Sequence, residues 1–414
     1  KALFVYSKSI PMSMPQGWLQ AEVLKDTRAI PLLVVSDVVL GETATYADFV
    51  LPDLSYLERW QRESIYPNVK VKVSHLTQPV TRVVPEARSI EDVFIEILKK
   101  MNLPGAGAGA FPGGGSLDRV DDFYLKMVAN IAFDGTPVPD AGDREMGLFY
   151  RTRRQALGKY FDPDAWQKAV KPEEWPKVVY VINRGGRFEA PGQEYVGDHL
   201  KYRLDGQANF YDEGVASARD SYAGNFFDGL PRMEPVRSYS GQAISGSLPL
   251  MFINWKARHV GTHRTPADVW LREIQRENYI WMNPRDALSR GLQNGDRVRI
   301  KSTAFVSLGR VMVTNGIRPG LVGSSYNYGT YASGAAPIEI DGRPMPTAPH
   351  IYGDRVIHLG EPGHEEAGLA GPRQAGFSAN NLLPIDPAFK VGGLSDLIGT
   401  SAAQLDAWVE VEKV

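Results

Sequence analysis

The apolar pattern changes along the chain, and this change limits the folds that the chain can adopt. Residues 1 to about 103 alternate short apolar segments, such as "PLLVVS", with amphipathic segments, such as "SIEDVFIEILKKM". This alternation predicts a doubly wound, parallel α/β layer. From residue 245 onward, short apolar segments are separated by Gly, Pro and Asn turns, which predicts a β-barrel.

Different patterns fill the middle of the chain. The segment "LPGAGAGAFPGGGS" at 103–116 is predicted to be a loop or tether without regular structure. A helical region is predicted to about residue 175, followed by one short strand in "KVVYVINRGGRFE". Residues 188–245 have little periodicity and are predicted to wrap over other domains as a long insertion. The predicted domains are therefore residues 1–103, 104–244 and 245–414.

One segment of the predicted barrel has clear helix and turn signals. In "NPRDALSRGLQNGDRV", Asn283 and Pro284 are suited to begin a helix, and Gly291 is suited to end it. The Asn-Gly pair that follows predicts a tight turn into a strand.

The composition excludes several classes of site. Because the 414 residues contain no cysteine, they form no disulfide, thiolate zinc site or cysteine-ligated iron–sulfur cluster. The 46 basic and 48 acidic residues give a net charge of -2, so no overall field favours nucleic acid or an anionic membrane. The sequence contains no run of about eighteen apolar residues, which is the length needed to span a bilayer. The chain enters a core strand directly after Lys1, which predicts a C-terminal portion separated from a longer polypeptide.

Two small polar residues end the second apolar strand, in "VVSDVVLGETATYADFVLPDLSYLERW" at 34–60. Ser36 and Asp37 are suited to turn chemistry, because both hydrogen-bond readily to nearby backbone. An alternative is that they hold a ligand in the crevice beyond the strand ends of an open α/β sheet. Asp53, past Pro52, is expected only to cap the following turn.

These segments taken in order resemble a known family. The segment at 34–60, "NPRDALSRGLQNGDRVRIKS" and "ANNLLPIDP" resemble the catalytic subunit of molybdopterin oxidoreductases of the dimethyl sulfoxide reductase type. The segments "INRGGRFE" and "INWKARHVGTHRTPADVWLRE" are most similar to the branch of tetrathionate and respiratory arsenate reductases. The resemblance implies a nucleotide-binding α/β domain at 1–103 and a double-psi-type, six-stranded β-barrel at 245–414.

The resemblance also implies a cofactor, two molybdopterin guanine dinucleotides that hold molybdenum or tungsten. In the family, the protein ligand to the metal and a [4Fe–4S] cluster lie in the N-terminal half. Partners implied by the resemblance are that half, a membrane anchor subunit, and an iron–sulfur electron-transfer subunit, with no nucleic acid. It also implies export to the periplasm or the outer face of the cytoplasmic membrane.

Ten residues are implied to bind the cofactor. Ser36 and Asp37 match the family's guanine-binding pair, Arg59 a nearby cation, and Asp92 an acid that meets guanine, although an acid also suits the first turn of any helix. The loop at 254–264 matches one over pterin and pyrophosphate, and its candidates are Asn254, Lys256, His259, Thr262 and His263. Asn381 matches a pterin-contacting amide, although it or its neighbour could simply shape a turn.

The resemblance predicts reduction of a sulfur or arsenic oxyanion in anaerobic respiration, with tetrathionate as the first choice. Alternatives in the same family are arsenate, thiosulfate and polysulfide or sulfur reductases. A different alternative is a non-catalytic assembly module that keeps the fold without the cofactor. A plain nucleotide-binding protein is disfavoured, because no Gly-rich phosphate turn follows the first strand.

Overall fold

In the computed structural model the chain divides into two compact units. The first unit contains Lys1–Val50 and Ala208–Val414, and the second contains Leu51–Gln207. The structure describes residues 2–61, 70–203, 206–219, 224–231, 236–244, 246, 248–261, 271, 274–275, 277–330, 338–340, 343–345, 349–352, 355–358, 377–389, 393–395, 401–405 and 407–414. The predicted domain boundaries at 103 and 244 stay predictions.

The N-terminal part of the chain forms a small α/β layer. Its elements are β1 (Leu3–Tyr6), α1 (Ile10–Ser13), α2 (Gly17–Lys25), β2 (Leu33–Asp37) and β3 (Phe49–Pro52). Strands β1 and β2 are parallel, with Tyr6 opposite Ser36, and the sheet order is β1-β2-β3. Val5, Leu33 and Val35 are buried beside helix α2, as expected for strands covered by a helix. The doubly wound extension of this layer stays a prediction.

The second unit is mainly helical. Its elements are β4 (Val73–His75), α3 (Ile90–Lys100), β5 (Gly107–Ala108), β6 (Ser116–Leu117), α4 (Val120–Phe133), α5 (Asp143–Leu157), α6 (Pro163–Lys168), α7 (Trp175–Arg184), β7 (Gly186–Phe188), β8 (Tyr195–Val196) and β9 (His199–Leu200). Trp60, Phe149, Trp166 and Trp175 are at most 3% exposed and belong to one apolar cluster between its helices. This cluster is the core of the second unit.

The prediction of one strand across "KVVYVINRGGRFE" is wrong. Most of this segment belongs to helix α7, and only Gly186–Phe188 is a strand, paired with β4. Val178, Val181 and Ile182 are each at most 1% exposed. Their spacing places them on one face of a helix, and burial of that face outweighs the strand propensity of Val and Ile.

The Gly-rich segment at 103–116 is also more ordered than predicted. Strands β5 and β6 pair there as a two-residue antiparallel ladder. Gly113, Gly114 and Gly115 have φ angles of 84°, 90° and 105°, which glycine adopts without a steric penalty. The segment is therefore a tight connection that contains a short ladder.

The C-terminal region contains a closed barrel of six strands. Its elements are α8 (Glu213–Ser217), β10 (Leu250–Trp255), β11 (Ile280–Met282), α9 (Pro284–Ser289), β12 (Arg297–Lys301), β13 (Val306–Val313), β14 (Leu321–Ser325), β15 (Ile338–Ile340), β16 (Arg343–Met345), β17 (Pro349–Tyr352), β18 (Arg355–His358) and β19 (Ala407–Lys413). The barrel order is β10-β14-β11-β13-β12-β19, whereas β15-β16 and β17-β18 are separate pairs. The predicted six-stranded barrel is confirmed.

The barrel core forms because buried and exposed side chains alternate along the strands. In β12, Val298 and Ile300 are fully buried, while their neighbours along the strand are exposed. Two strand pairs, β10 with β14 and β11 with β13, are parallel, and the others are antiparallel. This mixed pairing requires long connections, and those connections carry the polar residues described below.

The helix predicted between two of the barrel strands is confirmed. The Asn283 side chain accepts a hydrogen bond from the Arg285 N–H at 3.0 Å, which caps α9, and donates one to the Ile317 carbonyl at 2.7 Å. Gly291 lies beyond the helix with a φ of 64°, which is the conformation of a glycine that ends a helix.

Candidate functional site

Strand β2 ends in the two polar residues that the sequence singled out. Ser36 and Asp37 are 1% and 6% exposed. Asp37 Oδ1 accepts a hydrogen bond from the Val38 N–H at 2.7 Å, so turn chemistry is part of its function. Ser36 Oγ has no partner among the described residues. An unpaired buried hydroxyl costs about 1–3 kcal/mol, so a ligand group at this strand end would stabilise it.

Buried polar side chains also join the loops that follow β1 and β2. Ser9 Oγ donates to Glu42 Oε2 at 2.8 Å, the Ile10 N–H donates to Thr43 Oγ1 at 2.8 Å, and Thr43 Oγ1 donates to the Lys8 carbonyl at 2.9 Å. Ser9, Glu42 and Thr43 are each only 1% exposed. These hydrogen bonds fix the start of helix α1 against the connection that follows Asp37.

The same helix contacts a turn of the barrel region. This turn, a 3-10 helix at Ala379–Leu382, includes the predicted residue Asn381. Asn380 Nδ2 donates to the Met12 carbonyl at 2.7 Å, and the Gln16 N–H donates to the Asn380 carbonyl at 3.2 Å. The oxygens Asn380 Oδ1 and Asn381 Oδ1 are buried and have no partner among the described residues. The turn is thus held by the α/β layer while two of its acceptors remain available.

The loop after β14 lies directly against this turn. A Cβ atom on Gly329 would lie 2.2 Å from the backbone nitrogen of Ser378. Ser324 and Ser378 are 0% and 7% exposed, and neither Oγ has a partner in the part of the chain that the structure describes. Asn327 is 1% exposed, and its Oδ1 accepts a hydrogen bond from the Ala257 N–H at 2.9 Å. The connections after β10 and β14 therefore meet at one end of the barrel.

The predicted residues at the end of β10 and in the connection that follows it have varied surroundings. Asn254 Nδ2 donates to the Gln404 carbonyl at 2.7 Å, and Lys256 is exposed. His259 Nε2 lies 3.2 Å from the Tyr328 hydroxyl, which donates to the Gln275 carbonyl at 3.0 Å. The hydroxyl proton is thus already engaged, so the imidazole Nε2–H is the donor to Tyr328. Thr262 and His263 lie outside the described residues.

Two predicted residues belong to the second unit and have clear structural partners there. Arg59 pairs with Asp53 at 2.8 Å and with Glu91 at 3.1 Å. Asp92 Oδ1 accepts a hydrogen bond from the Val120 N–H at 2.8 Å, and its Oδ2 accepts one from Ser89 Oγ at 3.0 Å. Asp92 thus links the start of α3 to the start of α4. Contact of Arg59 or Asp92 with a nucleotide stays a prediction.

The expectation that Asp53 only caps a turn is wrong. The Asp53 side chain is 2% exposed, and it forms a buried ion pair with Arg59. A carboxylate removed from water is stable only when it is paired, and the cation that pairs with it lies six residues further along the chain. The sequence named both residues but did not indicate that they face each other.

The first unit therefore offers a particular kind of binding chemistry. Among its described residues, the buried side-chain oxygens without a hydrogen-bond partner are Ser36 Oγ, Ser324 Oγ, Ser378 Oγ, Asn380 Oδ1 and Asn381 Oδ1. Such neutral groups suit the N–H donors and carbonyl acceptors of a polar heterocycle. Among the described residues, no group of three or more His, Asp or Glu side chains is arranged to hold a metal ion. These residues fit the organic part of a large polar cofactor.

Sequence reasoning did not select several residues of this group. Ser324, Ser378 and Asn380 are small or neutral, and serine and asparagine occur in many loops. Their signal is burial without a full set of partners, which requires the tertiary structure. Glu42 was part of the quoted segment, and its polar character amid apolar residues was the available signal.

A closed barrel that packs against an α/β layer, with buried oxygens at the adjoining turns that have no partner among the described residues, is suited to bind a large polar cofactor. Two family models match the sequence: "Molybdopterin oxidoreductase" over residues 18–100 and "Molydopterin dinucleotide binding domain" over residues 250–348. The chain belongs to the molybdopterin oxidoreductase family. Its cofactor is molybdopterin guanine dinucleotide with molybdenum.

Known proteins are similar to most of the chain. A selenate reductase subunit from Mesobacillus selenatarsenatis is 34% identical over 100% of this chain and 40% of its own length. A tetrathionate reductase subunit from Salmonella typhimurium is 32% identical over 80% of this chain and 33% of its own length. The chain thus spans two fifths or less of the length of these relatives.

A solved structure is similar in fold. Acetylene hydratase from Pelobacter acetylenicus superposes with a TM-score of 0.50 at 15% sequence identity, over 100% of this chain and 44% of that protein. At this identity the similarity concerns the fold alone. Among the described residues, no helix is both long enough and apolar enough to cross a membrane.

Proposed function

We propose that this chain is part of the catalytic subunit of a molybdenum oxidoreductase that reduces a sulfur or selenium oxyanion, such as tetrathionate or selenate. The observation that carries this proposal is the 34% identity to a selenate reductase over the whole chain, together with 32% identity to a tetrathionate reductase over 80% of it. Arsenate, thiosulfate and polysulfide or sulfur remain alternative substrates within the family.

The proposed task of these residues is to bind and orient the cofactor. Ser36 and Asp37 would bind a guanine or ribose at the end of β2, because a carboxylate can accept two hydrogen bonds from guanine N–H groups. Ser324, Ser378 and Asn381 would complete the hydrogen bonds of a pterin. Lys256 would contribute charge, and His259 an N–H group, near a pyrophosphate. Molybdenum, when bound, would supply two electrons, which either remove one oxygen of selenate as water with two protons or break the central S–S bond of tetrathionate to give two thiosulfates.

Further features of the whole enzyme belong to the same proposal. We propose two guanine dinucleotides around molybdenum or tungsten, and a [4Fe–4S] cluster and metal ligand in an N-terminal half. The α/β layer would then continue into a doubly wound sheet, and the barrel would be of the double-psi type. Electrons would come from an iron–sulfur subunit bound to a membrane anchor subunit, with the enzyme in the periplasm or on the outer face of the cytoplasmic membrane.

A non-catalytic assembly module is the competing function. Such a module needs no ligand at Ser36, Ser324 or Asn381, and their unpaired atoms would then destabilise the fold without a benefit. The unpaired atoms therefore favour a cofactor-binding protein.

The test uses the holoenzyme purified from its native source. We expect molybdenum or tungsten, iron and guanine nucleotide in fixed ratio to protein. With a reduced viologen as electron donor, kcat/KM should be highest for tetrathionate or selenate in a panel that includes thiosulfate, polysulfide and arsenate. Fastest turnover of another member of the panel would establish that alternative, and absence of both metal and turnover would establish the assembly module.

A further inference from the structure

Asn380 is held in one orientation by the α/β layer. Its side chain is buried, with 3% of the residue exposed. Asn380 Nδ2 donates to the Met12 carbonyl at 2.7 Å. A carbonyl oxygen only accepts hydrogen bonds, so the amide group cannot turn over without placing two oxygens against each other.

This orientation determines what the other end of the amide can do. Asn380 Oδ1 is buried and has no hydrogen-bond donor in the part of the chain that the structure describes. Because Nδ2 is bonded to the Met12 carbonyl, Oδ1 is the acceptor end of the amide that stays available. The unpaired Asn381 Oδ1 belongs to the same turn. An N–H or O–H donor beyond the described residues would satisfy the Asn380 oxygen, and the ring systems of a pterin or guanine carry such N–H groups.

Gln16 holds the turn from the other side. Its backbone N–H donates to the Asn380 carbonyl at 3.2 Å, and its Nε2 donates to the Leu383 carbonyl. Gln16 is 1% exposed and has a φ of 48°, a left-handed conformation that is costly for a residue with a side chain. The next residue, Gly17, allows close approach, because a Cβ there would lie 1.6 Å from the Pro11 carbonyl oxygen. Strain of this kind persists where the surrounding structure requires it.

We propose that Asn380 is a further cofactor-binding residue, whose Oδ1 accepts a hydrogen bond from an N–H group of the pterin or guanine ring system. Gln16 is the positioning residue that holds the Asn380 turn against the α/β layer. This inference rests on the proposed function, because it needs the cofactor as the source of the donor. The α/β layer, which carries Asp37, would thus also orient Asn380 Oδ1, an acceptor in the barrel region.

The experiment measures cofactor retention and stability in holoenzyme variants. Asn380→Ala should lose one hydrogen bond to the cofactor, and we expect about tenfold faster release of guanine nucleotide on dilution. Gln16→Gly keeps the left-handed backbone and removes the buried side chain together with its bond to Leu383. It should also speed release, by a smaller factor than Asn380→Ala, and lower the unfolding temperature of the holoenzyme.

Asn283→Ala is the matched control. Asn283 is also a buried asparagine of the barrel region, but both ends of its amide are bonded within the protein. It should lower the unfolding temperature and leave the release rate unchanged. Equal release rates in wild type and Asn380→Ala would overturn the inference while leaving the proposed function intact. Wild-type holoenzyme without guanine nucleotide would instead refute the proposed function.

Discussion

The guanidinium group of Arg59 lies 2.8 Å from the carboxylate of Asp53, and these side chains are only 10% and 2% exposed. A second carboxylate, that of Glu91, lies 3.1 Å from the same guanidinium. One buried cation thus joins the segment after β3 to the first turn of α3. Such a pair is costly to break, because the remaining partner stays buried.

Asp53→Asn should therefore destabilise the protein. We expect a loss of about 3 kcal/mol in the free energy of unfolding, measured by urea denaturation, since the buried Arg59 cation would lose the carboxylate charge of Asp53. Asp140→Asn is the control, because Asp140 is 64% exposed in its pair with Lys177. Exposed pairs contribute at most about 1 kcal/mol. Equal losses for the two variants would contradict a structural function of the Arg59 pair.

Asp37→Asn tests the binding site at the end of β2. The change keeps the size of the side chain but turns one acceptor oxygen into a donor, which would face the guanine N–H groups. We expect a loss of roughly 1.5–3 kcal/mol in cofactor affinity, about ten- to a hundredfold. The measurement is the molybdenum and guanine nucleotide content of the purified holoenzyme under limiting cofactor.

Asp48→Asn is the control for Asp37→Asn. Asp48 Oδ2 accepts a hydrogen bond from the Leu33 N–H at 2.8 Å, at the opposite end of the same strand, and asparagine keeps an acceptor oxygen there. Its cofactor content should equal that of the wild type. Equal cofactor content in both variants would mean that Asp37 only stabilises the turn after β2.

Asp121 should make the stability of the protein depend on pH. Burial raises the pKa of this carboxyl group above its ordinary value of 3.8, although Trp60 Nε1 donates to it at 2.7 Å. The fold thus favours the protonated form, so stability falls as pH rises from about 3.8 through the higher folded pKa. Asp121→Asn keeps an acceptor for Trp60 and should unfold at a higher temperature than the wild type at pH 7. The difference should shrink at acid pH, and a difference independent of pH would exclude this explanation.

Gly329→Ala tests the contact between the loop after β14 and the turn at Ser378. The added Cβ would lie 2.2 Å from the Ser378 nitrogen, and Gly329 has a φ of 87°, so steric overlap adds to backbone strain. We expect lower stability and faster release of guanine nucleotide from the holoenzyme, because the turn that carries Asn381 must move. Circular dichroism melting and a nucleotide release assay measure the two effects.

Gly320→Ala separates backbone strain from steric overlap. Gly320 has a φ of 84°, and a Cβ there would have no neighbour within 4 Å. Its cost should be that of the left-handed conformation alone, about 1–2 kcal/mol, with an unchanged release rate. If Gly320→Ala and Gly329→Ala behaved alike, close packing of the turn would not matter for binding.

The sequence predicted those features that depend on local or periodic patterns. The barrel, the helix capped by Asn283 and the strand that ends at Asp37 each follow from alternation, capping residues or turn chemistry over short segments. The family resemblance likewise rested on contiguous motifs. The misread helix at Trp175–Arg184 had the same kind of signal, since Pro176 lies in its first turn and Gly185 directly follows its last residue.

Only the tertiary structure decided which polar residues meet. Asn380 and Met12 are 368 residues apart in the chain, and neither residue type indicates the other. The sequence could name Arg59 and Asp92 as candidates, but not their structural partners Asp53, Glu91 and Val120. Hydrogen bonds and ion pairs between distant segments depend on burial, because water satisfies the same groups when they are exposed. The sequence by itself therefore determined the secondary structure patterns and the family, whereas folding alone decided which polar atoms are left without a partner.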